Sequence, residues 1–230
     1  MTEQDARTEV VRTYRALARL GMNTGSAGNV SLRLYPGMII TPTNVPAETM
    51  SAGSLVAIAL DPRPPTHDKD GFEPPPLAGA SWKCGTPSSE WEMHAAVYAA
   101  CPDAGCIIHT HADACTALAC LGEKLPAFHY MIAAFGGGDV RCAPYITFGT
   151  RALAEAAAVA MKGRRACLLA NHGMTVHGRD AEHALLLAVQ LETLCRQYLL
   201  ARSAGTPRLL TKSELEAARA RFIDYWAGQG

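Results

Sequence analysis

The sequence predicts an α/β fold, a single domain of three layers spanning residues 1–230. A length of 230 residues suits one large domain. Hydrophobic residues make up 49% of the chain and charged residues only 18%, which excludes disorder as a description of the whole chain. Patterns typical of helices alternate with short apolar runs typical of strands, and the sequence carries no internal repeat.

The first helix is indicated by its start, its end and its periodicity. Thr2 and Asp5 have the spacing of a capping box, with Asp in place of the longer acid. Gly21 is a natural helix stop. Between them, apolar residues recur at helical spacing at Val10, Val11, Tyr14, Leu17 and Leu20.

Two strands and a long insert follow this helix. Residues 38–41 and 55–60 are apolar runs too short for a helix and bounded by Gly, Pro or Asp, so each predicts a strand. Residues 61–87 contain two proline-rich runs, which neither a helix nor a central strand accepts. We therefore expect 61–87 to form a surface loop or lid inserted into the domain.

From residue 88 onward, helices and strands alternate. The predicted helices span 88–100, 112–121, 150–161 with Thr150 as its cap, 180–203 and 213–226. The predicted strands span 105–111, 140–146 and 166–170.

The charge balance argues against nucleic acid and membrane partners. Lys and Arg total 21, as do Asp and Glu, so no net charge attracts nucleic acid or an anionic membrane. The longest apolar segment, 184–200, carries Glu192 and Arg196, so it predicts a buried helix and no membrane span. The N-terminal residues lack the pattern of a secretory signal, and the eight cysteines are scattered singly. We therefore expect buried free thiols and a cytoplasmic location.

Three histidines are the strongest indication of chemistry. His109 and His111 are alternate residues of one predicted strand, so their imidazoles share a face and can bind one metal ion. The same spacing also suits a hydrogen-bonded pair of histidines beside a loop. His172 follows the strand at 166–170, at a Gly-marked turn where α/β sheets place ligands, although such a histidine alone is more often structural. Together they predict a three-His site with a fourth position for a carboxylate, water or substrate.

The start of the helix at 88–100 is a second candidate element. Ser88 and Ser89 offer hydroxyls, and the helix start offers backbone N–H groups, for an anion. Glu90 offers a carboxylate for acid–base chemistry. An ordinary helix cap followed by a favourably placed Glu explains the same pattern. We interpret His94, one turn after Glu90, as a core or supporting histidine, with metal ligation as the alternative.

Two polar turns complete the set of candidate elements. Residues 25–31 are rich in Gly and small polar side chains and lead into a strand, and such turns bring backbone N–H groups close to phosphate oxygens. The segment lacks the Lys of a P-loop and the GxGxxG pattern of a dinucleotide fold, which disfavours a nucleotide. Residues 41–44 end a strand in a similar way, with the Thr43 hydroxyl and the Asn44 amide available.

Eight short motifs occur in one order along the chain. They are Gly25-Ser-Ala-Gly-Asn-Val-Ser31, Ile40-Thr-Pro-Thr43, Pro87-Ser-Ser-Glu-Trp91, His109-Thr-His111, His129-Tyr-Met-Ile132, Cys142-Ala-Pro-Tyr145, Thr147-Phe-Gly-Thr150 and His172-Gly173. In their order and separations they resemble the class II aldolase/adducin family, from about residue 10 to residue 225. The resemblance implies a three-layer α/β/α domain with a mixed, largely antiparallel sheet. It also implies a cyclic homotetramer with active sites between subunits.

The resemblance assigns roles to individual residues. It implies that His109, His111 and His172 bind Zn²⁺, with Mn²⁺ or Co²⁺ as alternatives. It implies that Glu90 is the catalytic base and a further contact to the metal. The phosphate of a sugar phosphate substrate is implied to lie against Gly28, Asn29, Thr43, Asn44, Ser88 and Ser89.

The implied reaction joins dihydroxyacetone phosphate to an aldehyde, or cleaves the resulting ketose 1-phosphate, through a metal-stabilised enediolate. Glu90 would move the proton beside the carbonyl, and an apolar wall would raise the pKa of Glu90 towards the working range. Tyr130, reaching in from the neighbouring subunit, would donate a proton to the aldehyde oxygen. Tyr225 is implied as a second catalytic tyrosine, in a divergent C-terminal tail.

Other activities on the same scaffold remain alternatives. They are sugar-phosphate dehydration, 4-epimerisation, decarboxylation of a hydroxy acid and a non-enzymatic adducin-like interaction module. Epimerases of the family carry Asp where Glu90 stands, and an interaction module need not keep the metal ligands. Asn44 in place of the usual Gly and the insert at 61–87 keep dehydration and decarboxylation open.

Overall fold

A long mixed sheet organises the fold. The computed structural model describes residues 1–60, 67–68, 71–72, 82–83 and 85–227, with side chains for 1–60 and 85–222. The strands within these residues are β1 (Asn29–Leu34), β2 (Gly37–Ile40), β3 (Val56–Ala59), β4 (His67–Asp68), β5 (Gly71–Phe72), β6 (Trp82–Lys83), β7 (Cys106–Thr110), β8 (Leu125–Pro126), β9 (Asp139–Ala143), β10 (Ala166–Leu169) and β11 (Gly173–Gly178).

Nine of the described strands pair in the order β6-β3-β2-β1-β7-β11-β10-β9-β8, while β4 and β5 pair only with each other. Every neighbouring pair in the nine-stranded sheet is antiparallel except β9 and β10, which are parallel. The predicted mixed, largely antiparallel sheet is therefore confirmed.

Helices cover both faces of the sheet, which gives the predicted three layers. The described helices are α1 (Glu3–Arg19), α2 (Trp91–Ala100), α3 (Asp113–Cys120), α4 (Arg151–Met161), α5 (Ala181–Ala204) and α6 (Lys212–Ala227), with 3₁₀ turns at Ala52–Ser54 and Tyr130–Phe135. Buried side chains of α1, α3 and α5 form one core with alternate residues of the strands. Buried side chains of α2 and α4 form a second core on the opposite face. In β7, Ile108 belongs to the first core and Ile107 to the second, because successive residues of a strand point to opposite faces.

Most predicted elements are confirmed with bounds shifted by one to three residues. The Thr2–Asp5 capping box begins α1, and Thr150 caps α4 by accepting the N–H of Leu153. The helix predicted at 88–100 begins only at Trp91, because the chain before it is still paired with residues 41–42. Pro87 forms a bridge with Pro42, and the N–H of Ser88 donates to the carbonyl of Thr41 at 3.0 Å. Leu20 does not belong to the buried stripe of α1, since it lies at the helix end and is exposed.

Several of the described elements were not predicted, among them the short strand β8, both 3₁₀ turns and strand β11. Strand β11 is buried on both faces, so it lacks the alternation of polar and apolar residues that marks a half-exposed strand. The 3₁₀ turn at Tyr130–Phe135 is too short to carry a helical period. Most of the insert predicted at 61–87 lies outside the described residues. Within it, however, β6 pairs with β3 at the edge of the sheet and β4 pairs with β5, so the prediction of a loop is wrong at these residues.

Helix α5 is long and apolar enough to cross a membrane by length and composition alone. It packs on the sheet instead, with Leu187, Leu191 and Leu194 in the first core. Its Glu192 carboxylate accepts two backbone N–H groups of the first turn of α3, each at 2.9 Å. These contacts identify α5 as a core helix, as its charged residues predict.

The cysteines of the described residues are free thiols, as predicted. Five of them are buried, whereas Cys142 is half-buried and Cys120 is exposed, so the expectation of burial is wrong for those two. Cys84 lies outside the described residues.

Candidate metal centre

Four side chains that are distant in the sequence meet at the end of β7. Their ligand atoms, one each from Glu90, His109, His111 and His172, all lie within 4.8 Å of one another. The Nε2 atoms of His109 and His111 are 3.0 Å apart. Glu90 Oε2 lies 3.1 Å from His109 Nε2, and Glu90 Oε1 lies 3.3 Å from His172 Nε2. The trio of imidazoles and the carboxylate therefore face one point.

The backbone after β10 brings His172 to this point. Asn171 has φ of +54°, a left-handed conformation that Asn tolerates better than most residues, and it turns the chain between β10 and β11. Gly173 then passes very close to β7, since a Cβ added there would lie 2.4 Å from the carbonyl oxygen of Thr110 and 3.0 Å from His111 Cδ2. A glycine at this position is therefore required for the two histidine-bearing segments to pack side by side.

The imidazoles present lone pairs towards the centre. His109 Nδ1 is 3.0 Å from the carbonyl oxygen of Met174, which can only accept, so the neutral His109 ring carries its proton on Nδ1 and leaves Nε2 as a lone pair. Burial, together with the nearby His109, lowers the pKa of His111 to about 4 and that of His172 to about 4. Both rings are therefore neutral near pH 7, the form that binds a metal ion.

The expected upward shift of the Glu90 pKa is wrong. Burial alone would raise the pKa of Glu90, but His109, His172 and the amide of Asn29 together hold the pKa of this carboxyl below its ordinary value. The polar groups in contact with the Glu90 carboxylate are two imidazole rings and an amide. Glu90 is consequently an ionised carboxylate across the neutral range, which is the form that accepts a proton or binds a cation.

These four side chains fit a divalent metal ion. Glu90 Oε1 is buried and receives no hydrogen bond, so one of its lone pairs is unused in a site where an unpaired polar atom is costly. Imidazole nitrogen and carboxylate oxygen are the ligand types that zinc and related ions accept. Outer contacts hold the ligands in place, as in known metal sites, with the Met174 carbonyl on His109 and the Asn29 amide on Glu90.

A cavity of about 480 Å³ opens beside the four residues. Glu90, His111 and His172 line it, whereas His109 lies beneath them and is fully buried. No Lys or Arg lines this cavity among the described residues. The residues predicted to bind phosphate all lie along it, namely Gly28, Asn29, Thr43, Asn44, Ser88 and Ser89.

Backbone pairing holds the phosphate candidates together along one wall. The N–H of Thr43 donates to the carbonyl of Thr86 at 3.1 Å, and a bridge joins Pro42 to Pro87. Asn44 has φ of +56°, a conformation that favours Gly and that Asn adopts more readily than other residues. Asn44, at a position where the resemblance implies Gly, therefore keeps the turn and adds a carboxamide to the cavity wall.

The comparisons with known proteins agree with this geometry. Residues 8–199 match the model of the class II aldolase and adducin N-terminal domain. The chain belongs to the class II aldolase and adducin family. The 5-methylthioribulose-1-phosphate/5-deoxyribulose-1-phosphate aldolase of Rhodospirillum rubrum is 40% identical over 216 residues, which cover 94% of this chain and 90% of the relative. The L-fuculose phosphate aldolase of Escherichia coli K12 is 40% identical over 218 residues, 94% of either chain. A solved structure of L-fuculose 1-phosphate aldolase superposes with a TM-score of 0.83 at 35% identity, covering 95% of this chain and 96% of that one.

Two residues assigned by the family resemblance lie away from the cavity or outside the described side chains. The side chain of Tyr130 is 51% exposed, stacks on His129 and Phe222, and does not line the cavity of its own chain. Tyr225 lies in α6, but its side chain is outside the described residues.

His94 is not among the four side chains of the centre. It is fully buried, and its two ring nitrogens contact Asn29 and Ser31. Burial, reinforced by His109, lowers the pKa of His94 to about 3. The interpretation of His94 as a core or supporting histidine is therefore confirmed over metal ligation.

Sequence reasoning missed part of the cavity wall of this class II aldolase family member. Tyr145 and Phe148 line the cavity with large exposed rings, and Ser26 and Asn171 contribute polar groups. Tyr145 and Phe148 occur within motifs that carry the family resemblance, in a loop between β9 and α4, and exposed aromatic rings in such a loop are a signal for a binding surface.

Replacing Gly173 with Ala should weaken metal binding by about 10-fold or more, because the added methyl group pushes on the Thr110 carbonyl and the His111 ring. Overpacking should also lower the free energy of unfolding by about 1–3 kcal/mol. Competition titration with a chelator and denaturant unfolding measure the two effects. Gly53→Ala is the control, since its Cβ would meet only Ser51 Oγ at 3.9 Å. Wild-type metal affinity in Gly173→Ala would contradict the required close approach.

Proposed function

We propose that this chain is a zinc-dependent class II aldolase that cleaves or forms a ketose 1-phosphate of the L-fuculose 1-phosphate type. Its other reactants are dihydroxyacetone phosphate and an aldehyde. The observation that carries the proposal is the convergence of Glu90 with His109, His111 and His172 beside a cavity. The names of the relatives, all aldolases of ketose 1-phosphates, support the same reaction.

His109, His111 and His172 are the proposed metal ligands, with Glu90 as a further contact. When bound, the ion supplies a Lewis acid that polarises the substrate carbonyl and stabilises the negative charge that develops there. Zn²⁺ is proposed because it favours imidazole and carboxylate ligands, with Mn²⁺ and Co²⁺ as alternatives.

Glu90 is the proposed base. In the synthetic direction its carboxylate removes a proton from the carbon beside the carbonyl of dihydroxyacetone phosphate, and in cleavage it returns that proton to the same carbon. Its ionised state supports this role. One carboxylate oxygen, Oε2, is held by the Asn29 amide at 3.0 Å, while Oε1 receives no hydrogen bond.

Neutral groups are proposed to hold the substrate phosphate. The cavity offers hydroxyl, carboxamide and backbone N–H donors, and α2 begins directly after Ser88, Ser89 and Glu90, so its positive dipole end adds to them. Binding of the phosphate fixes the carbon chain over the centre, so this remote binding energy supports catalysis. Gly28, Asn29, Thr43 and Asn44 complete the proposed phosphate contacts.

The active site is proposed to lie between subunits of a homotetramer. Tyr130 supports this arrangement because its ring is exposed and lies outside the cavity of its own chain. From a second copy, Tyr130 would donate a proton to the aldehyde oxygen in condensation, with the reverse transfer in cleavage. Tyr225 is the proposed second catalytic tyrosine. Free thiols support a cytoplasmic location.

An apolar terminus is proposed for the aldehyde half of the substrate. Tyr145, Ile146 and Phe148 form an apolar part of the cavity wall. L-Fuculose and the deoxy or methylthio sugars named for the relatives end in a methyl or thioether group rather than a hydroxyl. 5-Methylthioribulose 1-phosphate is therefore the second candidate substrate.

A panel of four substrates tests the function. L-Fuculose 1-phosphate, 5-deoxyribulose 1-phosphate, 5-methylthioribulose 1-phosphate and ribulose 1-phosphate are incubated with the metal-loaded protein. Release of dihydroxyacetone phosphate is followed with glycerol 3-phosphate dehydrogenase and NADH. We expect cleavage, with kcat/KM about 10-fold or more higher for 5-deoxyribulose 1-phosphate than for ribulose 1-phosphate, because the two differ by one hydroxyl that would be buried against apolar side chains.

Chromatography coupled to mass spectrometry of the same reactions separates the alternatives. Loss of water would indicate a dehydratase, and an isomer of unchanged mass an epimerase, while carbon dioxide from hydroxy acids added to the panel would indicate a decarboxylase. Release of no dihydroxyacetone phosphate from any member would refute the aldolase proposal. An inert protein that binds no metal would favour an interaction module.

A further inference from the structure

A buried chain of polar side chains leads from Glu90 into the second core. Asn29 Nδ2 donates to Glu90 Oε2 at 3.0 Å. The other end of the same carboxamide, Asn29 Oδ1, contacts His94 Nε2, and His94 Nδ1 lies 2.7 Å from Ser31 Oγ. Ser31 Oγ is in turn 3.0 Å from the Tyr98 hydroxyl. All five side chains are at least nine-tenths buried.

The direction of the hydrogen bonds along this chain follows from its carboxylate end. The Asn29 atom that faces Glu90 Oε2 is Nδ2, an NH₂ group that only donates, so the carboxylate oxygen is the acceptor. Asn29 Oδ1 then faces His94 and also only accepts, so the proton of the neutral His94 ring lies on Nε2. His94 Nδ1 is left as an acceptor for the Ser31 hydroxyl. This tautomer of His94 satisfies the contacts of its ring with both Asn29 and Ser31.

His94 contacts the end of the Asn29 carboxamide that faces away from Glu90 and so supports one of its two orientations. The oxygen and the NH₂ group of a carboxamide have nearly the same shape, so packing alone does not distinguish the two orientations. In the reversed orientation the oxygen of Asn29 would face the Glu90 carboxylate and repel it. In the orientation that the structure shows, the Asn29 NH₂ group meets the Glu90 carboxylate and the Asn29 oxygen meets His94 Nε2, so reversal would lose the donor to Glu90 and would also require the His94 ring to change tautomer.

The orientation of the Asn29 carboxamide affects how Glu90 is held, because Asn29 donates a hydrogen bond to only one of the two Glu90 oxygens. Oε2 is held by Asn29, while Oε1 receives no hydrogen bond and faces His172. Sheet pairing holds the anchor in place, since Asn29 of β1 is the direct register partner of His109 of β7. A carboxylate held in this way keeps one oxygen directed to the centre.

We propose that His94 is a positioning residue, which orients Glu90 through the Asn29 carboxamide while touching neither substrate nor metal. The proposal rests on the role of Glu90 as the base. It predicts that His94 affects the proton transfer by Glu90 much more than sugar phosphate binding, because Asn29 is only one of six proposed phosphate contacts.

Two replacements of His94 separate positioning from packing. His94→Met keeps much of the side-chain volume but removes the donor to Asn29, while His94→Gln supplies an amide donor of similar reach. The matched control is His177→Met, the same replacement at a second buried histidine, whose Nε2 contacts the carbonyl oxygen of Arg164. His177 does not line the cavity.

The first measurement is the exchange of the carbon-bound proton of dihydroxyacetone phosphate with D₂O, together with kcat and KM for cleavage, in metal-saturated proteins. We expect His94→Met to lower exchange and kcat by about 10–100-fold with KM changed less than about 3-fold. His94→Gln should recover most of the rate, and His177→Met should keep it despite some loss of thermal stability. Equal rates in His94→Met and wild type would overturn the proposal and leave the aldolase function standing.

The second measurement does not depend on activity. Crystal structures of the wild type and of His94→Met are compared. The wild type should show the contact between Asn29 and Glu90 Oε2. The variant should lack this contact, and its Glu90 carboxylate should be rotated. An unchanged contact in His94→Met would refute the positioning role even if the wild type proved inactive on every substrate. Inactivity of the wild type would instead refute the proposed function.

Discussion

Replacing Glu90 with Gln should lower kcat for aldol cleavage by about 10²–10⁴-fold, the range that a positioned general base contributes. Gln keeps the size of the side chain and can still accept a hydrogen bond from Asn29, but it cannot take up a proton. The protein should fold normally, because the three imidazoles and the sheet around them are unchanged. Steady-state cleavage of L-fuculose 1-phosphate at saturating metal measures the effect.

The control for this prediction is Glu92→Gln, the same replacement two residues further along, in the first turn of α2. Glu92 does not line the cavity and is not among the four convergent side chains. It should keep the wild-type rate, and circular dichroism should show both variants folded. A fully active Glu90→Gln would refute the role of Glu90 as the base.

Replacing His172 with Ala should reduce metal affinity by more than about 100-fold, since removal of even an outer contact of a metal ligand costs about 10–100-fold. The variant keeps Glu90, His109 and His111 but loses one of the three imidazole ligands, one that lines the cavity. Turnover should fall in proportion to metal occupancy. Elemental analysis after dialysis and competition titration with a chelator measure the loss.

Thermal unfolding supplies an independent measurement of the same metal site. A ligand that binds only the folded state adds about 2.7 kcal/mol at a concentration 100-fold above its Kd. Added Zn²⁺ should therefore raise the Tm of the wild type and of the control His183→Ala, a half-buried histidine in α5 that accepts the N–H of Arg179. His172→Ala should show almost none of this increase. Equal stabilisation of His172→Ala by zinc would show that His172 is not a ligand.

The elements best predicted from sequence are those with a local physical cause. The Thr2–Asp5 capping box and the Thr150 cap each join groups only three residues apart in the chain, so the sequence displays them directly. Strand β11 and the late start of α2 depend on partners elsewhere in the chain. Burial of β11 on both faces hides its pattern, and Ser88 is held by Thr41 from a distant strand end.

The pKa of Glu90 likewise depends on groups that are distant in the sequence and close only in the folded chain. The sequence indicates a carboxylate at the start of a helix but not its neighbours. The packed structure surrounds it with His109, His172 and Asn29, which outweigh the effect of burial and lower the pKa where an apolar wall would raise it. His94 is a parallel case, because its partners Asn29 and Ser31 lie more than 60 residues away in the chain.

By itself, the sequence determined the α/β class, the family resemblance and the set of residues able to do chemistry, because residue types, short spacings and motif order are properties of the chain. Only the tertiary structure decided that three histidines from two sheet segments and a carboxylate from a helix start face one point, and which oxygen of Glu90 is anchored. Those arrangements depend on strand register and on close backbone approaches such as that of Gly173 to Thr110. Register and packing arise between segments far apart in the chain, and no local pattern encodes them.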